Sequence, residues 1–196
     1  MTVLVIPEDF RKDQYILKPI FSRLLREVGK PRARIRICQD PLLGGVGEAT
    51  KSERIQEIIQ RYRAMVRIFV LCIDRDGDPG RRQRLNQLEQ KFGDDLGDDR
   101  VLLAENAWEE IETWVLAGLD LPDRWPWADV RAQVQVKEAY FDPLALERGV
   151  ADRPGGGRKP LAEEAAGRFD AIRQKCREDF DVLVNRVQDA VATVPD

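Results

Sequence analysis

The chain has 196 residues, of which 43% are apolar and 34% charged, and its formal net charge is −3. That composition supports a sizeable core, excludes a disordered chain, and excludes nucleic-acid binding through overall positive charge, so such contact would have to rest on a local patch. The sequence contains no histidine, which removes Ser-His-Asp and Cys-His catalysis and every histidine-dependent zinc site.

The first element is a strand over Thr2 to Ile6. Its run Val3-Leu4-Val5-Ile6 is continuously apolar, as in a strand buried on both faces. A chain that starts directly on a strand is expected to carry no signal peptide. Asp13 to Val28 reads as a helix, because Ile16, Leu17, Ile20, Phe21, Leu24, Leu25 and Val28 recur at i, i+3 and i+4. Gly29 stops it, and Pro19 marks a kink or the first turn of its regular part. Arg34 to Cys38 is a second strand. Pro41 to Thr50 is a glycine-rich loop (Gly44, Gly45, Gly47) that lacks the Gly-Lys-Ser/Thr ending of a Walker motif. A helix over Ser52 to Ala64 turns Ile55, Ile58 and Ile59 inward. Val66 to Ile73 is the strongest strand, and it runs into Asp74-Arg75-Asp76-Gly77-Asp78-Pro79-Gly80. Arg81 to Phe92 is helical, Val101 to Ala104 is a strand, and Ala107 to Leu119 is a helix.

This alternation predicts an α/β fold over residues 1–121, with a mainly parallel sheet covered by helices on both faces. After Leu121 the character changes. Pro122, Trp125-Pro126-Trp127 and the Asp152 to Pro160 stretch are irregular, and a helical tail begins at Leu161. In that tail Phe169, Ile172, Cys176, Phe180, Leu183 and Val187 form a stripe at helical spacing. Residues 122–196 are therefore expected to form an irregular segment and a C-terminal helical extension packed on the first domain; the alternative use of the stripe is a partner surface. Cys38, Cys72 and Cys176 are far apart and lie in apolar surroundings. They read as buried hydrophobes in a reducing, cytoplasmic compartment rather than as ligands or nucleophiles. No run of about 18 apolar residues exists, so no membrane span is expected.

The acidic residues fall in a pattern. Glu8 lies just past the first strand, and Asp74, Asp76 and Asp78 lie just past the third. In a parallel sheet both strand ends sit on the carboxyl edge, where ligands bind. If the two strands are neighbours, Glu8 comes beside Asp74 and Asp76. Clustered carboxylates repel one another unless a cation neutralises them, and oxygen-only ligands suit Mg²⁺ or Mn²⁺. An EF-hand is excluded, because the sixth loop position is Pro79 and the twelfth is Leu85. Asp74 and Asp78 have a plainer use as turn and helix-cap residues. A third acidic group spans Glu105 to Glu112. On a helix from Ala107, Glu112 borders the apolar face of Trp108, Ile111, Trp114 and Val115, Glu110 points elsewhere, and Glu105 and Glu109 project near that face if the helix starts early or else belong to a solvated flank.

These residues resemble a Toprim domain, the fold shared by topoisomerases, bacterial primases and OLD-type nucleases. The resemblance rests on Val5-Ile6-Pro7-Glu8, on Leu71-Cys72-Ile73-Asp74-Arg75-Asp76-Gly77-Asp78, and on Glu110-Ile111-Glu112-Thr113-Trp114-Val115-Leu116-Ala117. The last is similar to a Glu-x-Glu-x-Trp-x-x-Ala helix of small stand-alone Toprim-like proteins. It covers residues 1 to 120. The family commonly has glycine directly after the glutamate, where this chain has Asp9.

The resemblance implies Mg²⁺ (or Mn²⁺) held by Asp74 and Asp76, with Glu8 as general acid/base and as a further metal neighbour. Asp78 and Glu112 would serve a second metal or orient a water. It also implies action on nucleic acid, DNA before RNA, and a setting near ATPases in bacterial defence or mobile loci. A topoisomerase or primase needs further domains, so nuclease is the activity that remains. Residues 11 to 36 hold nine Lys/Arg against Asp13 and Glu27, and Arg75, Arg81, Arg82 and Arg84 follow the acidic turn. Of these, Arg11, Lys12, Arg75, Arg81 and Arg82 are the phosphate-contact candidates. Two other readings stand beside the nuclease. One is a Toprim-fold subunit that works with an ATPase through the tail and the Trp108, Trp125 and Trp127 region. The other is a phosphate-ligand or nucleotide-binding α/β protein of a different family. Oligomeric state is open.

Overall fold

The structure is a computed structural model and describes residues 1–194. Four strands, β1 (Thr2–Pro7), β2 (Arg34–Ile37), β3 (Ile68–Asp74) and β4 (Val101–Ala107), form one all-parallel sheet in the order β2-β1-β3-β4. The helices between them are α1 (Phe10–Glu27), the short α2 (Val46–Ala49), α3 (Ser52–Tyr62) and α4 (Arg81–Leu96). After β4 come α5 (Glu112–Ala117), α6 (Trp127–Ala132), α7 (Asp142–Glu147), α8 (Arg158–Gly167), α9 (Phe169–Lys175) and α10 (Val182–Thr193). Single π-helical turns over Lys137–Phe141 and Arg177–Asp181 lead into α7 and α10.

The apolar strands are buried on both faces because successive side chains point to opposite sides of the sheet. Val3, Val5, Ile68 and Val70 join one core with Ile16, Ile20, Phe21 and Leu24 of α1 and with the C-terminal helices. Leu4, Ile6, Phe69 and Leu71 join the other with Ile55, Ile58, Leu85, Leu88 and Phe92 of α3 and α4. The α/β expectation with helices on both faces is met. α1 starts earlier than its periodicity indicates, because Asp9 caps it: its carboxylate accepts from the Arg11 amide at 2.9 Å. The helix continues through Pro19 to Glu27.

Two sequence boundaries change. β4 does not stop at Ala104 but pairs with β3 as far as Asp74↔Ala107. The helix expected over Ala107 to Leu119 shrinks accordingly to Glu112–Ala117. The extra strand residues are polar, Glu105 and Asn106, which hid them in the hydrophobic pattern. Arginines make the burial of Glu105 tolerable: Arg186 bonds it at 2.9 Å and Arg82 pairs with its other oxygen, while the Asn106 amide donates to the Ala107 carbonyl at 3.1 Å. Within the glycine-rich loop, Val46–Ala49 forms a short helix.

The C-terminal stripe is core. Cys176, Phe180, Leu183 and Val187 are fully buried, and Phe180 packs on Trp114 and Phe169 with ring centroids 5.2 and 5.4 Å away. The partner-surface use of Phe180 and Leu183 is therefore overturned. The extension shares one continuous core with α1 and the sheet. Gly118 lets α5 cross α8 closely, since a Cβ there would lie 2.7 Å from the Ala165 carbonyl oxygen. Asp179, 2% exposed, fastens the extension to the β4–α5 corner, accepting from the Trp108 amide at 2.8 Å, the Trp114 indole at 2.7 Å and Arg131 at 2.7 Å. All three cysteines are buried and free. No helix among the described residues is long and apolar enough to cross a membrane.

Candidate metal centre

Strand order brings the first two acidic groups together. β1 and β3 are neighbours with Pro7 opposite Cys72, so Glu8 and Asp74 leave the carboxyl edge side by side. Asp74 accepts from the Ile111 amide at 2.9 Å. Burial holds its carboxyl well above the usual range, and the charges of Glu112, Asp13 and Glu8 push it further in the same direction. Glu8 is also raised, first by burial and then by Asp76. Its Oε2 is buried and has no hydrogen-bond partner, a costly state for a carboxylate oxygen.

The loop after β3 is held in an unusual shape by the loop after β4. The Glu109 carbonyl accepts from the amides of Arg75 at 2.8 Å and Asp76 at 3.2 Å. Its side chain accepts from the Gly77 amide at 2.5 Å and from Arg75 at 2.8 Å. Asp76 and Glu109 both have positive φ, 52° and 65°, a strained region for residues other than glycine. The two strained residues face each other across these bonds and set where the Asp76 carboxylate stands. Burial raises Asp76 as well, and Arg81 opposes the shift.

The third carboxylate of the cluster is Glu110, not Glu112. Asp74, Asp76 and Glu110 each offer an oxygen within 4.8 Å of the others, and this triad can hold a metal ion. The helical-wheel placement that turned Glu110 away fails because residues 108–111 lie in the turn before α5 rather than on its face. Glu110 accepts from the Lys137 amide at 2.6 Å and is raised to about 7, by burial first. Lys137 belongs to the C-terminal extension, so no local signal could have placed Glu110. Asp13 was missed too. It lies half-buried beside Glu8 and Glu112, accepts from the Asp9 amide at 2.8 Å, and is raised to about 7, chiefly by burial.

The remaining candidates divide. Glu112 is buried, as its wheel position indicates, but it is committed to Arg158, with contacts at 2.9 and 2.5 Å. It acts on the centre only through its charge. The solvated-flank reading of Glu105 and Glu109 is overturned, since both are buried. Asp78 accepts from the Gly80 amide at 2.9 Å and pairs with Arg84, and Arg81 lies 3.8 Å away. That is the turn-and-cap role. Arg75 stacks over Trp108 at 4.1 Å while bonding Glu109. Arg82 is tied to Glu105 and the Ala104 carbonyl. Both guanidiniums are thus occupied by structural partners. Arg81 is different: it is 6% exposed, sits 3.8 Å from Asp76, and its Nε has no partner. Arg11 and Lys12 are exposed at the start of α1.

No protein-family model, no curated protein and no solved structure matches this chain. The donor set speaks for itself. It contains only oxygens, which suits a hard divalent cation. Its members are driven toward the protonated form by burial first and then by the charges of surrounding carboxylates such as Glu112 and Glu8, which a cation would oppose. The orphaned Glu8 oxygen at its edge adds a second unfilled acceptor.

Proposed function

We propose that this chain is a Mg²⁺- or Mn²⁺-dependent nuclease of Toprim type, or a related phosphoryl-transfer enzyme, acting on nucleic acid and on DNA in particular. The observation that supports it most is the pairing of Glu8, with its unpartnered buried oxygen, and the Asp74–Asp76–Glu110 triad on one sheet edge. Asp9 does not argue against the reading. Its φ of −123° is open to any residue, and its side chain caps α1.

Asp74, Asp76 and Glu110 would hold the metal, which supplies charge stabilisation for a phosphate in transfer. Glu8, raised by burial, keeps a proton nearer neutrality than an exposed glutamate does, and so can give it to the leaving oxygen of a phosphodiester. Arg81, whose terminal nitrogen lies 3.8 Å from Asp76 and donates to the Arg75 carbonyl at 3.3 Å, would be the cation that meets a non-bridging phosphate oxygen. Glu109 positions Asp76 through the loop bonds and does not itself react.

The alternative is a Toprim-fold subunit that works with an ATPase in a bacterial defence or mobile-element system. Its surface would be the 410 Å³ cavity by α6, lined by Trp108, Trp127, Ala128 and Arg131. Calorimetry with Mn²⁺ and Mg²⁺ on wild type and Asp74→Asn/Asp76→Asn, with plasmid and single-stranded DNA cleavage run on the same samples, separates the two. Metal binding and cleavage confined to wild type support the enzyme. Metal binding without cleavage supports the subunit. Absence of metal binding overturns the metal-centre reading.

A further inference from the structure

We infer that the outer face of α1, with α8 and the β2 edge, is a binding track for a polynucleotide phosphate backbone, separate from the metal centre. This rests on the nucleic-acid reading of the substrate but not on the metal chemistry. A cleft of about 640 Å³ lies between α1 and α8, walled by Tyr15, Lys18, Arg23, Arg26, Lys159 and Glu163. Lys18 and Arg26 also wall a second cavity of about 240 Å³ that runs to Lys30 and β2. Lys18 walls a third, of about 230 Å³, that reaches Arg36. Three concave surfaces therefore share one ridge of α1, and among the described residues that line them Glu163 is the single carboxylate.

The acids nearby neutralise only part of the ridge. Asp13 turns toward Glu8 and Glu112 and bonds the Asp9 amide. Glu27 pairs with Arg23 at 2.7 Å, and Glu163 pairs with Lys159 at 2.5 Å. Lys18 and Arg26 are exposed and have no carboxylate partner among the described residues. The Arg23 Nε is buried without a partner. Tyr15 is held in the cleft wall by Gly155, whose φ is 73° and where a Cβ would lie 2.6 Å from the Tyr15 ring. A π-face fixed among cations suits an exposed base as well as a phosphate.

Length selects the ligand. From the start of α1 beside Glu8 to Arg26 the ridge spans ~25 Å at ~1.5 Å per residue. That is too long for one compact phosphorylated molecule. It matches about seven phosphates of one strand at ~3.4 Å spacing. The N-terminal end of the ridge adjoins the metal centre, so a strand lying along α1 would pass its phosphodiester to Glu8.

The test measures binding without catalysis, in EDTA. Fluorescein-labelled DNA of ~20 nucleotides, single-stranded and duplex, is titrated by anisotropy between ~50 and ~200 mM salt. Two variants carry the same charge change. Lys18→Glu/Arg26→Glu alters the ridge. Lys91→Glu/Arg63→Glu alters exposed positions on the α3–α4 side. The expected result is a loss of affinity of about tenfold or more in the first only, with the salt slope reduced by ~1.5–2. Circular dichroism confirms that both fold. Equal losses in the two variants, or no DNA binding by wild type, overturn the track. Inorganic phosphate competing at concentrations comparable to the DNA's would also overturn it, showing a small-anion site. Because EDTA removes any metal, the readout does not depend on an occupied metal centre. The track thus stands or falls independently of metal binding.

Discussion

Two sets of carboxylates lie within the same corner of this molecule, one buried and one from buried to exposed, and they are treated in opposite ways. Glu112, Asp179 and Glu105 each have an arginine: Arg158 at 2.5 Å, Arg131 at 2.7 Å, Arg186 at 2.9 Å. Glu8, Asp74 and Glu110 have none, and Asp76 has only Arg81 at 3.8 Å. The first set is satisfied by the protein itself and ties the C-terminal extension to the sheet. The second is supplied with backbone amides, from Ile111 and Lys137, but left short of positive charge. Amides orient a carboxylate without neutralising it. Such an arrangement is stable only at the expense of protonation, or with a cation brought from outside.

The comparison breaks most visibly in the paired set. Asp179→Ala removes the partner of Arg131 and two bonds to tryptophan N–H groups. Denaturant unfolding should show a loss of about 3–5 kcal/mol, as expected when a buried ion pair loses one member. Glu112→Ala, which strands Arg158, should cost a similar amount.

In the unpaired set the sign reverses. Asp74→Asn keeps an oxygen for the Ile111 amide while removing charge from the cluster. Without metal it should stabilise the chain, because burial and the charges of Glu112, Asp13 and Glu8 disfavour the ionised carboxylate that the amide replaces. It should also abolish any rise in melting temperature with added Mg²⁺ or Mn²⁺. A destabilised Asp74→Asn would show that this cluster is as structural as the other.

Acidity gives a third test. Asp13 and Glu110 are raised from ordinary values of 3.8 and 4.5 to about 7. Between those limits the folded chain holds more protons than the unfolded one. Their contribution is full below the unfolded values and is lost as pH rises through 7. The melting temperature of metal-free protein should fall from pH 5 to pH 7.5. Asp13→Asn should flatten that slope, and a saturating divalent cation should restore stability at the upper end. A slope unchanged in Asp13→Asn would remove Asp13 from the cluster.

The smallest effect belongs to the exposed pair. Arg84→Ala frees Asp78 on a surface turn, so stability should change by less than about 1 kcal/mol and metal affinity should hardly move. A large loss of metal affinity would return Asp78 to the centre.

The sequence by itself determined the sheet and half of the site. Continuous apolar runs can be buried only between two layers, so Val3 to Ile6 and Val66 to Ile73 had to be central strands. Their ends bring Glu8 to Asp74 and Asp76 if the strands are neighbours, and the order β2-β1-β3-β4 makes them so. The apolar stripe from Phe169 to Val187 announced a packed face in the same way. Hydrophobic period carries no information about polar residues, and that is where the tertiary structure decided. Glu105 could become buried strand because Arg82 and, from far along the chain, Arg186 pair with it. Glu110 joined the triad because residues 108–111 form a turn, and because Lys137 supplies an amide from 27 positions away. Asp76 took its strained backbone from two bonds to the Glu109 carbonyl. A carboxylate's role follows from which cation or amide reaches it, and at these sites the partner comes from a distant part of the chain.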